Sequence, residues 1–98
     1  MSNGAGDADE WDEIGFVISS KYRIKVLETL STGPSIPSTI ASETGIPITH
    51  VSRALRVLRE RSLVELLVSK HKKKGRIYGM TEHGQRLWER IEAEGLID

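Results

Sequence analysis

Between Ile48 and Ser62, apolar and polar positions separate at a helical period. At about 100° per residue, Val51, Ala54, Leu55 and Leu58 fall on one side, and Thr49, Ser52, Arg53, Arg56 and Glu60 on the other. The pattern predicts a helix with an apolar back and a polar, basic front. An earlier helix is predicted in KYRIKVLETLSTG, where Tyr22 or Arg23, Val26 or Leu27, and Leu30 recur at helical spacing. Ser19 and Ser20 offer N-caps there, and Gly33 a left-handed stop. The Gly33-Pro34 pair breaks the chain. Pro37 then suits the first position of a short helix through Ile40, Ala41 and Thr44, although Ile36 is a poor N-cap. After Ser62 the period becomes that of strands, over Leu63 to Ser69 and Arg76 to Met80, with KHKKKG as the hairpin tip. Thr81 caps a last helix, Glu82 to Glu94, whose Leu87, Trp88 and Ile91 face the core or a partner, and Gly95 ends it.

Ahead of these elements, residues 1–10 are small, polar and acidic, and read as a disordered tail. Trp11, Ile14, Phe16, Val17 and Ile18 form an apolar patch that packs on the core or on another subunit. Residues 11–98 then make one domain. Its expected class is α+β and mostly helical: a three-helix core, a two-stranded β wing and a C-terminal helix, the winged helix-turn-helix arrangement.

Composition narrows the function. Ninety-eight residues suffice for one core but not for two domains with a catalytic cleft between them. The chain has no cysteine, which removes disulfides and thiolate metal sites. No apolar run approaches the roughly 20 residues that span a bilayer, and the N-terminus is acidic where a secretory signal is basic, so a cytoplasmic location is expected. The formal net charge of zero conceals a segregation. Five acids and no base lie in residues 1–16, leaving fourteen bases against nine acids, or +5, in the rest. Between Pro47 and Arg76, nine bases face Glu60 and Glu65, a net of +7. Such a local field suits a polyanion, or simply a solvated face.

Two short helices joined at TGIP, the second with a basic front, match an arrangement whose second helix enters the DNA major groove. On that reading the recognition helix is 48–61. Thr49, His50 and Ser52 near its start are short enough for close approach, and the longer Arg53 and Arg56 reach base edges, where an arginine forked onto guanine discriminates by about 1–3 kcal/mol. The wing, 70–76, is expected to hold phosphate or the minor groove through Lys70, Lys72, Lys73, Lys74 and Arg76. Those lysines also guard an exposed hairpin against edge pairing.

The runs ISSKYRIKVLETL, IASETGIPITHVSRALRVLRERSLVEL and GRIYGMTEHG resemble archaeal winged-helix transcriptional regulators of the broad ArsR and MarR type, over roughly residues 17–92. The resemblance implies DNA contacts near Thr49, His50, Ser52, Arg53 and Arg56, a wing at Lys70 to Arg76, and a homodimer on a palindromic duplex site. It does not carry metal sensing, since the metal-sensing members use cysteine clusters. The short final helix departs from the longer dimer arms of MarR proteins, and Pro47 and Ile48 replace the Ser or Thr that often caps the recognition helix.

Other function classes find less support. His50, His71 and His83 fall on three different elements without metal-ligand spacing, and neither a catalytic constellation nor a phosphate loop is present, so no enzyme, metal or cofactor is expected. The main alternative is a winged-helix protein-protein interaction module without direct DNA binding, though such a surface favours exposed aromatics over lysines. A small-molecule effector pocket lined by Trp11, Phe16 and Trp88 is a third reading, against plain packing of those rings. Dimerisation is expected from the patch at Trp11 to Ile18 and from Trp88, Ile91, Leu96 and Ile97. The acidic stretch Asp7 to Glu13 is a candidate to fold over the basic wing.

Overall fold

The computed structural model describes residues 3–67 and 76–97, the first six of them by backbone alone. Five helices and a two-stranded antiparallel sheet follow in the order α1 (Asn3–Ile18), α2 (Lys21–Leu30), α3 (Pro37–Thr44), α4 (Ile48–Glu60), β1 (Val64–Leu66), β2 (Tyr78–Met80) and α5 (Glu82–Ala93).

Local chemistry sets these boundaries. Ser20 Oγ accepts the Arg23 backbone N–H at 3.3 Å and starts α2. At its other end the Ser31 and Thr32 hydroxyls donate back to the carbonyls of Glu28 and Thr29. Pro37 opens α3 with no side-chain cap from Ile36. Gly45, at φ 77°, closes α3 by donating its N–H to the Ala41 carbonyl at 2.9 Å. Helix α4 ends in two back-bonds, Ser62 N–H to Arg59 O at 2.9 Å and Leu63 N–H to Leu58 O at 3.0 Å. This Schellman geometry places Ser62 in the left-handed region, at φ 62°. Thr81 Oγ1 then caps α5 by accepting the Gly84 N–H at 2.9 Å, while donating to the Ser62 carbonyl at 2.6 Å.

Strand β1 pairs with β2 in the register Val64 with Met80, Glu65 with Gly79 and Leu66 with Tyr78. A third segment joins through Ser35, which exchanges two 2.9 Å backbone hydrogen bonds with Tyr78. This bridge ties the α2–α3 connection to the sheet. The Gly33-Pro34 break hides it from sequence reading, because one bridging residue leaves no alternation to detect. The expected strands are longer than the observed ones: Leu63 belongs to the cap of α4, regular pairing covers three residues on each side and is followed by a 2.7 Å bond from Leu67 N–H to the Ile77 carbonyl, and residues 68–75, the hairpin tip included, lie outside the described residues.

One core serves all elements. Val26, Leu27, Leu30, Ile40, Val51, Leu55, Leu58, Leu63, Leu87, Trp88 and Ile91 are buried together, joined by Ile14 and Val17 of α1. The back of α4 faces this core as its period requires. Trp88 and Ile91 are buried inside the chain, so neither is free for a partner as the dimer expectation supposed.

Helix α1 is the main difference from the sequence reading, which placed a bare apolar patch at Trp11 to Ile18 and a tail over 1–10. The patch is helical, and the helix extends back to Asn3. Glu10 Oε1 accepts from Arg90 Nη1 at 2.8 Å and Glu13 Oε1 meets His83 Nε2 at 2.7 Å, stapling α1 to α5. Those two carboxylates are thus engaged on α5 instead of being free to cover the wing.

Candidate nucleic-acid interface

The site is built on the exposed front of α4. Burial of Val51, Ala54, Leu55 and Leu58 fixes the helix roll, and the opposite side chains are thereby presented outward. Thr49, Ser52, Arg53 and Arg56 are all exposed and line one open concavity of about 550 Å³. Ile48 lines it too and is 48% exposed. The sequence marks it only as standing where a capping residue is usual. Its apolar tip beside two hydroxyls and two guanidiniums gives this surface a mixed character, with donors for acceptor edges and a methyl-bearing group for apolar ones.

His50, expected among the same contacts, is turned elsewhere. It is half-buried and stacks on Tyr22 of α2, with ring centroids 4.7 Å apart and planes 20° from parallel. The reason is its place on the flank of α4, one step round from Thr49 toward α2. A smaller cavity of about 250 Å³ beside this stack collects Ser20, Tyr22, Arg23, His50 and Arg53. Arg53 therefore borders both concavities.

Further along α4, a larger open groove of about 690 Å³ runs between its C-terminal half, the start of α3 at Pro37 and the foot of β2 at Tyr78. Arg56, Arg59 and Arg76 line it. Arg76 is expected on the wing; Arg59 is not among the expected contacts, although the helical period puts it beside Ser52 on the outer face. The remaining wing candidates, Lys70, Lys72, Lys73 and Lys74, lie outside the described residues.

The aromatics considered for a small-molecule pocket have separate surroundings. Trp88 is 1% exposed. Phe16 carries the guanidiniums of Arg23 and Arg61, each 3.9 Å from its centroid, and the half-exposed Trp11 has the Arg90 guanidinium 5.1 Å from its own ring centroid. Among the described residues no group of three or more His, Cys, Asp or Glu is placed to hold a metal ion, and no helix is long and apolar enough to cross a membrane.

Three core helices, a bridged hairpin and a closing helix, with the third core helix presenting a basic face, define a winged helix-turn-helix protein. The chain belongs to the family described as the HVO_A0261 N-terminal domain, whose model matches residues 11–94. No curated protein matches the chain by sequence. Solved structures resemble it in fold. The homodimeric winged helix-turn-helix DNA-binding domain of Mb0332 from Mycobacterium bovis, a candidate ArsR-family regulator, superposes with a TM-score of 0.73 at 23% identity, over 97% of this chain and 86% of that one. A protein of Enterococcus faecalis assigned to the MarR family of transcriptional regulators gives 0.76 at 18% identity, over 91% and 82%. A double mutant of ZitR from Lactococcus lactis gives 0.71 at 18% identity, over 79% of this chain but only 53% of that one. The chain thus spans about half the length of the ZitR chain.

Proposed function

We propose that this protein is a transcriptional regulator that binds duplex DNA in a sequence-specific way. Helix α4 enters the major groove, Thr49, Ser52, Arg53 and Arg56 meet base edges or adjacent phosphates, and the wing segment 70–76 lies on phosphate or in the minor groove. One observation carries this reading: the four side chains are exposed together on the face of α4 opposite its buried apolar row. A recognition helix needs that division, rigid on its back and polar on its front. Ile48 extends the contact set, as an apolar neighbour for a thymine methyl group. His50 is a weaker base reader than its sequence position suggests, since its ring is occupied by Tyr22.

The protein acts as a homodimer on a two-fold site. Trp11, 43% exposed, and Leu96, 36% exposed, supply apolar surface on the α1 and α5 side, and the Mycobacterium bovis relative in fold is homodimeric. Selection of binding sequences from a randomised duplex pool tests the specific reading. Enrichment of a two-fold motif supports it, whereas no enriched motif contradicts it and favours the protein-interaction alternative.

A further inference from the structure

The groove between the C-terminal half of α4 and the foot of β2 gathers more positive charge than its neighbours neutralise. Arg56 and Arg59 come from the helix and Arg76 from the strand side, so two separate elements converge on one concavity. All three are exposed, and none is ion-paired among the described residues. Glu60, in the same wall, is exposed and likewise outside those pairs. Three guanidiniums converging on a groove with one carboxylate repel one another, a cost that a polyanion relieves. Their planar forks match phosphate oxygens two at a time.

Position decides which part of DNA the groove meets. In helix-turn-helix proteins the N-terminal residues of the recognition helix meet base edges, and here Thr49, Ser52 and Arg53 occupy that end. The arginine groove begins at Ser52, which lines both concavities, and extends toward the C-terminal end of the helix, past Arg56, Arg59 and Glu60 to Arg76.

We propose that this groove seats the sugar-phosphate backbone of one strand of duplex DNA. Arg59 and Arg76 hold phosphates, and Arg56, which lines both this groove and the neighbouring concavity, stands at the border between backbone and base contacts. Glu60 opposes phosphate within the seat and limits how tightly DNA of any sequence is held. The proposal deepens the DNA-binding reading of α4 and rests on it.

The test is the salt dependence of binding to a labelled mixed-sequence duplex between about 50 and 200 mM salt, with folding checked by far-ultraviolet circular dichroism. Arg59→Gln and Arg76→Gln each lower the slope of log affinity against log salt by about 0.9, the value of one phosphate contact. Arg86→Gln, which removes an exposed charge from α5, leaves the slope unchanged, and Glu60→Gln tightens binding. Unchanged slopes for both groove variants of a protein that binds DNA overturn the phosphate seat alone. An equal fall for Arg86→Gln overturns it too, by reducing the effect to overall charge. Weaker or unaltered binding by Glu60→Gln contradicts the role given to that carboxylate. A wild-type protein that binds no duplex overturns the DNA reading together with the seat.

Discussion

The guanidinium of Arg61, the residue that ends α4, lies 3.9 Å from the centroid of the Phe16 ring on α1. Arg23 of α2 approaches the same ring at the same distance, and its Nη1 also donates to the Phe16 carbonyl at 2.6 Å. Two guanidiniums cannot share one face at that separation, so the ring is held between them. Three helices, the candidate recognition helix among them, meet at one side chain. Each cation–π contact contributes about 0.5–1 kcal/mol at a partly exposed site. Phe16→Leu keeps the apolar bulk and removes both contacts. It is expected to cost about 1–2 kcal/mol and to lower Tm by roughly 4–8 °C per kcal/mol, measured by thermal unfolding. An unchanged Tm would show that the sandwich contributes nothing.

Ser62 occupies a left-handed position that glycine fills without a Cβ penalty. Its side chain makes no hydrogen bond among the described residues, and only its backbone joins the cap. Ser62→Gly is therefore expected to stabilise the fold by about 1 kcal/mol, seen as a higher denaturant midpoint at constant slope. A lower midpoint would contradict the strain argument.

Gly84 has the opposite requirement. A Cβ at this position collides with the Leu63 backbone carbonyl, where α5 passes over the entry to β1. Backbone cannot swing aside as a flexible side chain does. Gly84→Ala should cost about 2 kcal/mol or more through overpacking, measured by the same denaturant titration. Wild-type stability in this variant would mean that α5 shifts freely against the sheet.

The stack of His50 on Tyr22 yields a prediction that separates packing from recognition. His50→Phe keeps a flat ring against Tyr22 and removes both ring nitrogens. Affinity for a selected DNA site should change by less than the roughly 1 kcal/mol that marks a base contact, while His50→Ala lowers thermal stability. A large, sequence-dependent loss with His50→Phe would restore the histidine as a base reader.

What could be read from the chain followed from how local its cause was. The faces of α4 were legible because four apolar residues at helical spacing leave one solution for the helix roll. The caps at Ser20 and Thr81 were legible because capping needs only residues three apart. Helix α1 was not read as a helix. Gly4, Gly6 and Gly15 lower its intrinsic propensity, yet Trp11, Ile14 and Ile18 already had the spacing of one helical face. It is held by distant parts of the chain: Ile14 and Val17 are buried in the common core, and Glu13 and Glu10 pair with His83 and Arg90, 70 and 80 residues away. The placement of His50 was hidden for a similar reason, since it depends on how α2 crosses α4. Arg59 joined the site only once β2 brought Arg76 alongside.

Helix α4 and its flanking groove are proposed to form one DNA-binding surface. Fluorescence anisotropy of a labelled mixed-sequence duplex, titrated with the protein at about 50 and 200 mM salt, tests it most directly. Micromolar binding at the lower salt that weakens steeply at the higher, and further weakening in Arg53→Ala and Arg56→Ala, is the expected result. No binding at the lower salt would contradict it.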